Sequence, residues 1–195
     1  MTLALRETLR MIGGRHSNEI FMTTQRYLLP LLGLALLAGL TAAIAQDWRT
    51  VTARDGSFTV EMPAEPQYTT TPVKTGGGKD YTRYNYISEE GGRAFVLQTA
   101  TYPRDVNLSN TRTNLQAGLD SAAAQMEGGK WADIRWTTYQ GLTATDARAM
   151  RPPFEVRNFS VIKGRTIYTL TYAGPPGTAM SADVNRFINS LLVKR

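Results

Sequence analysis

Residues 93–102, RAFVLQTATY, are the stretch from which the fold is read. In an extended chain Phe95 and Leu97 point to one side and Val96 and Ala100 to the other, so both faces are apolar, as in an interior strand. Upstream, KDYTRYNYIS (79–88) alternates Tyr84 and Tyr86 with Arg83 and Asn85, and Glu89-Glu90-Gly91-Gly92 supplies the turn between the two strands. QYTTTPVK (67–74) is extended by its threonines, and Pro72, which has no N–H to donate, confines it to an edge. Gly76-Gly77-Gly78 makes the turn that follows.

At the start of the domain, Trp48, Val51 and Ala53 lead into the turn Arg54-Asp55-Gly56-Ser57, where Gly56 takes a positive φ. Phe58, Val60 and Met62 then alternate with polar residues at strand period until Pro63 and Pro66 stop them.

Downstream, Pro103 ends the extended run and the period changes. Leu115, Leu119, Ala122, Ala123 and Met126 recur at helical spacing, which predicts a helix from Ser109 to Glu127. Asn107 or Ser109 caps its start and Gly128-Gly129 ends it. Four more strands follow at 133–139, 142–150, 154–162 and 166–173, punctuated by Gly141, Pro152-Pro153 and Lys163-Gly164-Arg165. The last two form a hairpin with Phe159 and Val161 facing the same way as Tyr168 and Leu170. After Gly174-Pro175-Pro176-Gly177, a closing helix over Ser181–Leu191 stripes Val184, Phe187, Ile188 and Leu191. Strands, helix, strands, helix is α+β order: an antiparallel β-sheet covered by helices.

The longest apolar run, Leu28–Ala45, carries no charge and follows Arg26. A basic flank, a short apolar core and the A-x-A pattern Ala43-Ile44-Ala45 are the parts of a secretory signal, with cleavage after Ala45 leaving Gln46 first. The chain therefore divides into residues 1–45, an N-terminal extension and signal peptide, and 46–195, one globular domain. Met22 provides a conventional signal start. The alternative is a retained anchor, since Leu28–Ala45 is just long enough to cross a bilayer. The domain would then be tethered to the inner membrane but still stand outside the cytoplasm.

The chain has 22 basic and 16 acidic residues and no cysteine. Removing Arg6, Arg10, Arg15, Arg26, Glu7 and Glu19 with the signal leaves 18 and 14, a net charge of +4. That suits solubility and is too small to imply a nucleic-acid partner. His16, the single histidine, precedes the signal. Without histidine or cysteine the exported domain lacks the usual activated nucleophiles and the usual ligands for zinc, copper or haem. No cofactor is expected.

The order and spacing of elements carry a resemblance. A Trp-led first strand precedes Gly56-Ser57-Phe58-Thr59-Val60-Glu61-Met62-Pro63 with Pro66 after it. A long central helix, the Gly164, Tyr168, Leu170 hairpin and the Asn185-Arg186-Phe187-Ile188-Asn189-Ser190-Leu191 helix complete the pattern. Over nearly all of 46–195 this resembles the PsbP-like fold group, an α/β/α sandwich shared by photosystem extrinsic subunits, a Ran-binding nuclear import factor and many exported bacterial proteins. The resemblance implies a binding or assembly role. It supplies no catalytic residues, because fold alone does not fix function.

Other candidate chemistry is weaker. Glu61, Glu65, Asp133 and Asp146 are the carboxylates from which a glycosidase pair would be drawn, but they are scattered. Glu89-Glu90 reads as a solvated turn. Gly76-Gly77-Gly78-Lys79-Asp80 lacks P-loop spacing and precedes a strand. Asn107-Leu108-Ser109 and Asn158-Phe159-Ser160 match the short glycosylation sequon. The run Tyr81, Arg83, Tyr84, Tyr86 has the composition that stacks on sugars or bases, and also the composition of an ordinary half-buried strand. The sequence thus points to a non-catalytic, periplasmic or secreted binding module with no metal, whose expected partner is a protein of the cell envelope. A membrane contact is expected only if the signal segment is retained. An envelope hydrolase working through carboxylates is the rival from a different class.

Overall fold

The computed structural model describes residues 47–125 and 129–194. The signal segment with Ala43, Ala45 and Gln46, and the end expected for the central helix at 126–128, lie outside the described residues.

Among the described residues ten strands and two helices follow one another. The strands are β1 (Arg49–Thr52), β2 (Phe58–Met62), β3 (Gln67–Lys74), β4 (Asp80–Glu90), β5 (Arg93–Thr101), β6 (Asp133–Tyr139), β7 (Leu142–Arg151), β8 (Phe154–Lys163), β9 (Thr166–Gly174) and β10 (Leu192–Val193). Helix α1 (Thr111–Ala123) lies between β5 and β6, and α2 (Ala182–Asn189) between β9 and β10. Seven strands form one sheet in the order β3-β4-β5-β9-β8-β7-β6, and β1-β2-β10 form a small second sheet. Every pairing is antiparallel. The stretch 93–102 is β5, interior between β4 and β9, and Pro72 sits on the edge strand β3.

Local chemistry explains most boundaries. In the β1–β2 turn Gly56 has φ 73° and the Ser57 N–H donates to Asp55 Oδ1 at 3.0 Å. The β8–β9 hairpin has the expected register, Phe159 opposite Leu170 and Val161 opposite Tyr168. Glu89 and Glu90 belong to β4, and Gly91 and Gly92, with φ 55° and 75°, make the turn by themselves. Two consecutive positive-φ residues are what a tight hairpin asks for, and glycine supplies them without strain.

Helix α1 starts later than its sequence pattern indicates. Asn107 turns its side chain onto the Ser109 N–H at 3.0 Å, and Asn110 caps the helix by accepting from the Thr113 N–H at 3.0 Å. The cap is thus neither Asn107 nor Ser109, because the first is used in a turn and the second is that turn's donor. The helix ends at Ala123, with Leu115, Leu119 and Ala123 as its buried stripe.

Helix α2 is shorter than the apolar spacing predicts, and Leu191 falls beyond it. Ser190 donates to the Phe187 carbonyl at 2.8 Å and accepts from the Glu61 N–H at 2.8 Å, while the Tyr139 hydroxyl donates to the Leu191 carbonyl at 2.6 Å. The Ser190 hydroxyl and the Tyr139 side chain thus take carbonyls at the helix end, and the β2 backbone holds Ser190 in place. The chain then extends into β10, which pairs with β2 and has no signal in the sequence.

The apolar core lies between one face of the large sheet and the layer made by the small sheet and α2. Phe58, Met62, Phe95, Leu97, Leu170 and Phe187 are almost wholly buried there. Phe95 meets Phe187 edge-on at 5.5 Å and Tyr172 at 5.2 Å between ring centroids, the arrangement ring quadrupoles favour. Helix α1 packs on the opposite face, against β7 and β8.

Candidate functional site

The face of the large sheet toward α1 differs chemically from the core face. At one level across six strands the register aligns Thr69, Asn85, Gln98, Thr169, Ser160 and Thr145. All six are polar. Beside this row stand Thr171 and Asn158, paired across β9 and β8. Interior strands covered by a helix ordinarily present aliphatic residues.

Most of these groups are joined in two clusters, whereas the buried Thr145 Oγ1 has no hydrogen-bond partner among the described residues. Gln98 Nε2 donates to Asn85 Oδ1 at 2.8 Å, and Asn85 Nδ2 donates to Thr69 Oγ1 at 3.3 Å. Asn158 Nδ2 donates to Thr171 Oγ1 at 3.1 Å, and Ser160 Oγ donates to Asn158 Oδ1 at 3.0 Å. Thr169 then gives its proton to Ser160, 3.1 Å away. A buried hydroxyl or amide costs about 1–3 kcal/mol when left unpaired, so these bonds offset that cost for every residue of the two clusters and leave it only at Thr145. They do not explain why the face is polar, since apolar side chains would pack α1 without that requirement.

Helix α1 leans toward β7 and β8, so the polar positions of β4, β5 and β9 open beside it into a groove of ≈ 370 Å³. Gln98, Asn158, Ser160, Thr169 and Thr171 form its floor, and Leu115 and Gly118 of α1 form a wall. The volume falls within the roughly 300–1,000 Å³ typical of small-molecule sites. Trp131 lines the groove and is fixed by donating its indole N–H to the Leu119 carbonyl at 2.9 Å. The 103–106 loop is fastened by Arg165, which donates to the carbonyls of Tyr102 at 2.8 Å, Val106 at 2.7 Å, and Pro103.

The electrostatics have one sign. Arg83 and Arg151 line the groove, and no aspartate or glutamate does so among the described residues. Tyr81 and Tyr102 lie at the Arg83 end with ring centroids 4.9 Å apart. Burial, with Tyr81 adding and Arg83 opposing, pushes the Tyr102 phenol up to about 12. It is therefore a neutral hydroxyl throughout the physiological range.

The structure separates the residues that the sequence had grouped. Of the run Tyr81, Arg83, Tyr84, Tyr86, the first two line the groove, Tyr84 is largely exposed, and Tyr86 is buried in the core. The four carboxylates are each held by arginine: Glu61 by Arg186 at 2.7 Å, Glu65 by Arg49 at 3.5 Å, Asp133 by Arg148 at 2.8 Å and Asp146 by Arg157 at 2.8 Å. Arg186 holds the Glu61 carboxyl below its ordinary value. None of the four lines the groove. The triple glycine lies in the β3–β4 loop, closed by the Thr75 N–H on the Lys79 carbonyl at 2.8 Å. Of the two sequon asparagines, Asn158 is buried in the groove floor and Asn107 lies in the loop before α1. Among the described residues no group of three or more acidic, histidine or cysteine side chains is placed to hold a metal ion. No described helix is long and apolar enough to cross a membrane.

The floor is the feature that sequence reasoning missed. Its signal was the recurrence of Gln98, Asn158, Ser160, Thr169 and Thr171 at alternate positions of strands otherwise rich in apolar residues. Such a pattern reads as solvent-facing sheet until the position of α1 is known.

No protein-family model and no curated protein matches the chain. Among solved structures it is similar to cyanobacterial PsbP (CyanoP) from Synechocystis sp. PCC 6803. That likeness has 8% identity and a TM-score of 0.52, and covers 81% of this chain and 99% of that one. The fold is PsbP-like. The PsbP-like architecture is thus reached with almost no shared sequence, and at such identity the likeness concerns fold alone. Two further structures match at lower scores. One is from Bacteroides thetaiotaomicron, with 10% identity, TM-score 0.45 and coverage of 75% of this chain and 48% of that one. The other is PA94 of Pseudomonas aeruginosa, a protein of unknown function, with 13% identity, TM-score 0.44 and coverage of 76% and 97%.

Proposed function

We propose that this chain is an exported, non-catalytic binding module that seats a small polar ligand in the groove beside α1. The observation that carries the reading is the hydrogen-bonded polar floor beneath a helix. Polar side chains at interior strand positions lower the packing energy available to the sheet. They repay that cost when the groove holds something that hydrogen-bonds to them. The rigid sheet behind them supports a preformed site, which lowers the entropic cost of binding.

The signal pattern at Leu28–Ala45 supports export to the periplasm or medium. The PsbP-like fold supports a binding role, and its α/β/α sandwich describes the layering in this reading: α1, the large sheet, then α2 with the small sheet. A protein of the cell envelope is the proposed partner that receives or senses the loaded module.

Cell fractionation followed by intact mass of the native protein tests the reading. A species beginning at Gln46 in the periplasm or medium is expected. A membrane-bound species retaining Leu28–Ala45 would make this a tethered domain with the same groove. A full-length species in the cytosol would overturn export.

A further inference from the structure

From the one-signed lining of the groove, we infer that its ligand is a sugar acid, a hydroxylated monoanion of monosaccharide size, with its carboxylate on Arg83. This rests on the groove being a binding site.

Arg83 lines a partly enclosed groove that has no described carboxylate in its lining, and it forms no ion pair among the described residues. Arg49, Arg93, Arg135, Arg148, Arg157 and Arg186 are all paired with acids. A cation lining such a groove selects an anion, and arginine takes a carboxylate through two parallel hydrogen bonds.

The register puts Arg83 level with Ala100, Ile167 and Ile162, whereas Arg151 is level with Phe154. Ile162 and Phe154 lie eight residues apart on β8, roughly 25 Å at the rise of a strand. A compact ligand meets one arginine only. Arg83 has Tyr81, Tyr102 and Gln98 around it in the groove lining.

The remaining lining describes the body of the ligand. The hydroxyl hydrogens of Ser160 and Thr169 are spent within the floor, so these side chains and Asn158 present mainly hydroxyl lone pairs and the second Asn158 amide hydrogen, which suit the hydroxyls of a polyol. The rings of Tyr81 and Tyr102 offer apolar surface to the C–H face of a pyranose. The volume of ≈ 370 Å³ lies at the small end of the range for small-molecule sites.

The test is titration of the isotopically labelled protein, followed by backbone amide NMR, with D-glucuronate, D-galacturonate and D-gluconate. D-glucose and propionate serve as the neutral polyol and the bare anion. At least one sugar acid is expected to shift the amides of Gln98, Ser160 and Thr169, and to bind about tenfold or more tighter than glucose and propionate. Arg83→Gln should bring that acid down to the affinity of glucose, while Arg49→Gln, remote from the groove, leaves it unchanged. If glucose binds in the groove as tightly as the acids and Arg83→Gln alters neither, the charge assignment fails and the groove reading survives. If propionate alone matches the acids, the sugar body is wrong. If no probe moves the groove amides, the sugar-acid proposal is overturned.

Discussion

Arg157 and Asp146 form a bidentate ion pair inside the fold, with Nε to Oδ1 and Nη2 to Oδ2 both at 2.8 Å. Arg157 is 5% exposed and Asp146 8%, and the guanidinium also donates to Asn185 Oδ1 at 2.8 Å and to the Ala179 carbonyl. The pair thus ties β7 and β8 to the segment that carries α2. Removing one partner of a buried pair leaves the other charge without compensation, at about 3–5 kcal/mol. Asp146→Ala should lose that much stability in urea unfolding, and the double variant Asp146→Leu, Arg157→Met should lose less than the single one. A double variant as unstable as the sum of the singles would show no coupling between the two charges, each then acting through its other contacts.

Phe187 joins helix α2 to the large sheet through Phe95 and is fully buried. Phe187→Ala should cost about 3–5 kcal/mol, as expected for emptying a packed aromatic site. A loss below about 1 kcal/mol would mean that the helix is peripheral.

Gly118 occupies the interior of α1 on the wall of the groove, and a Cβ added there meets nothing within 4 Å. Glycine in a helix interior is about 0.8–1 kcal/mol less favourable than alanine. Gly118→Ala should therefore stabilise the protein by about 0.5–1 kcal/mol, measured as a shift of the urea midpoint. Gly118→Trp should fill the groove and abolish binding without unfolding the domain, as judged by circular dichroism.

The Tyr102 phenol, raised to about 12 chiefly by burial, makes stability depend on alkaline pH. An unfolded tyrosine ionises near 10. Between these values the folded state keeps a proton that the unfolded state loses, so stability falls as pH rises. The contribution is intact below pH 10 and disappears as pH passes through about 12. Tyr102→Phe should flatten that part of the profile, and the last phenolate to appear in an absorbance titration of the folded protein should be diminished.

Much of this architecture was legible because its causes are local. The alternation in β2, the apolar run of β5, the β8–β9 hairpin, the turns at Gly91-Gly92 and Lys163-Gly164-Arg165, and the apolar stripe of α2 each arise from neighbouring residues. The elements that escaped depend on distant ones. Strand β10 exists because β2 offers it an edge, and α2 stops early where Tyr139 takes the carbonyls at its end and the Glu61 N–H holds Ser190. The groove escaped for the same reason. Gln98, Thr169 and Ser160 come from three strands, and only their register makes them one surface. Even the Tyr81, Arg83, Tyr84, Tyr86 run, continuous in sequence, contributes to opposite faces because a strand alternates.

The most direct measurement is a fragment screen of small polar compounds read by backbone amide NMR on the native protein. The account predicts that the compounds that bind will cluster on the amides of Gln98, Ser160, Thr169 and Thr171, and that Gly118→Trp will remove them. Compounds that bind elsewhere, or that survive Gly118→Trp unchanged, would contradict the assignment of the groove as the binding site.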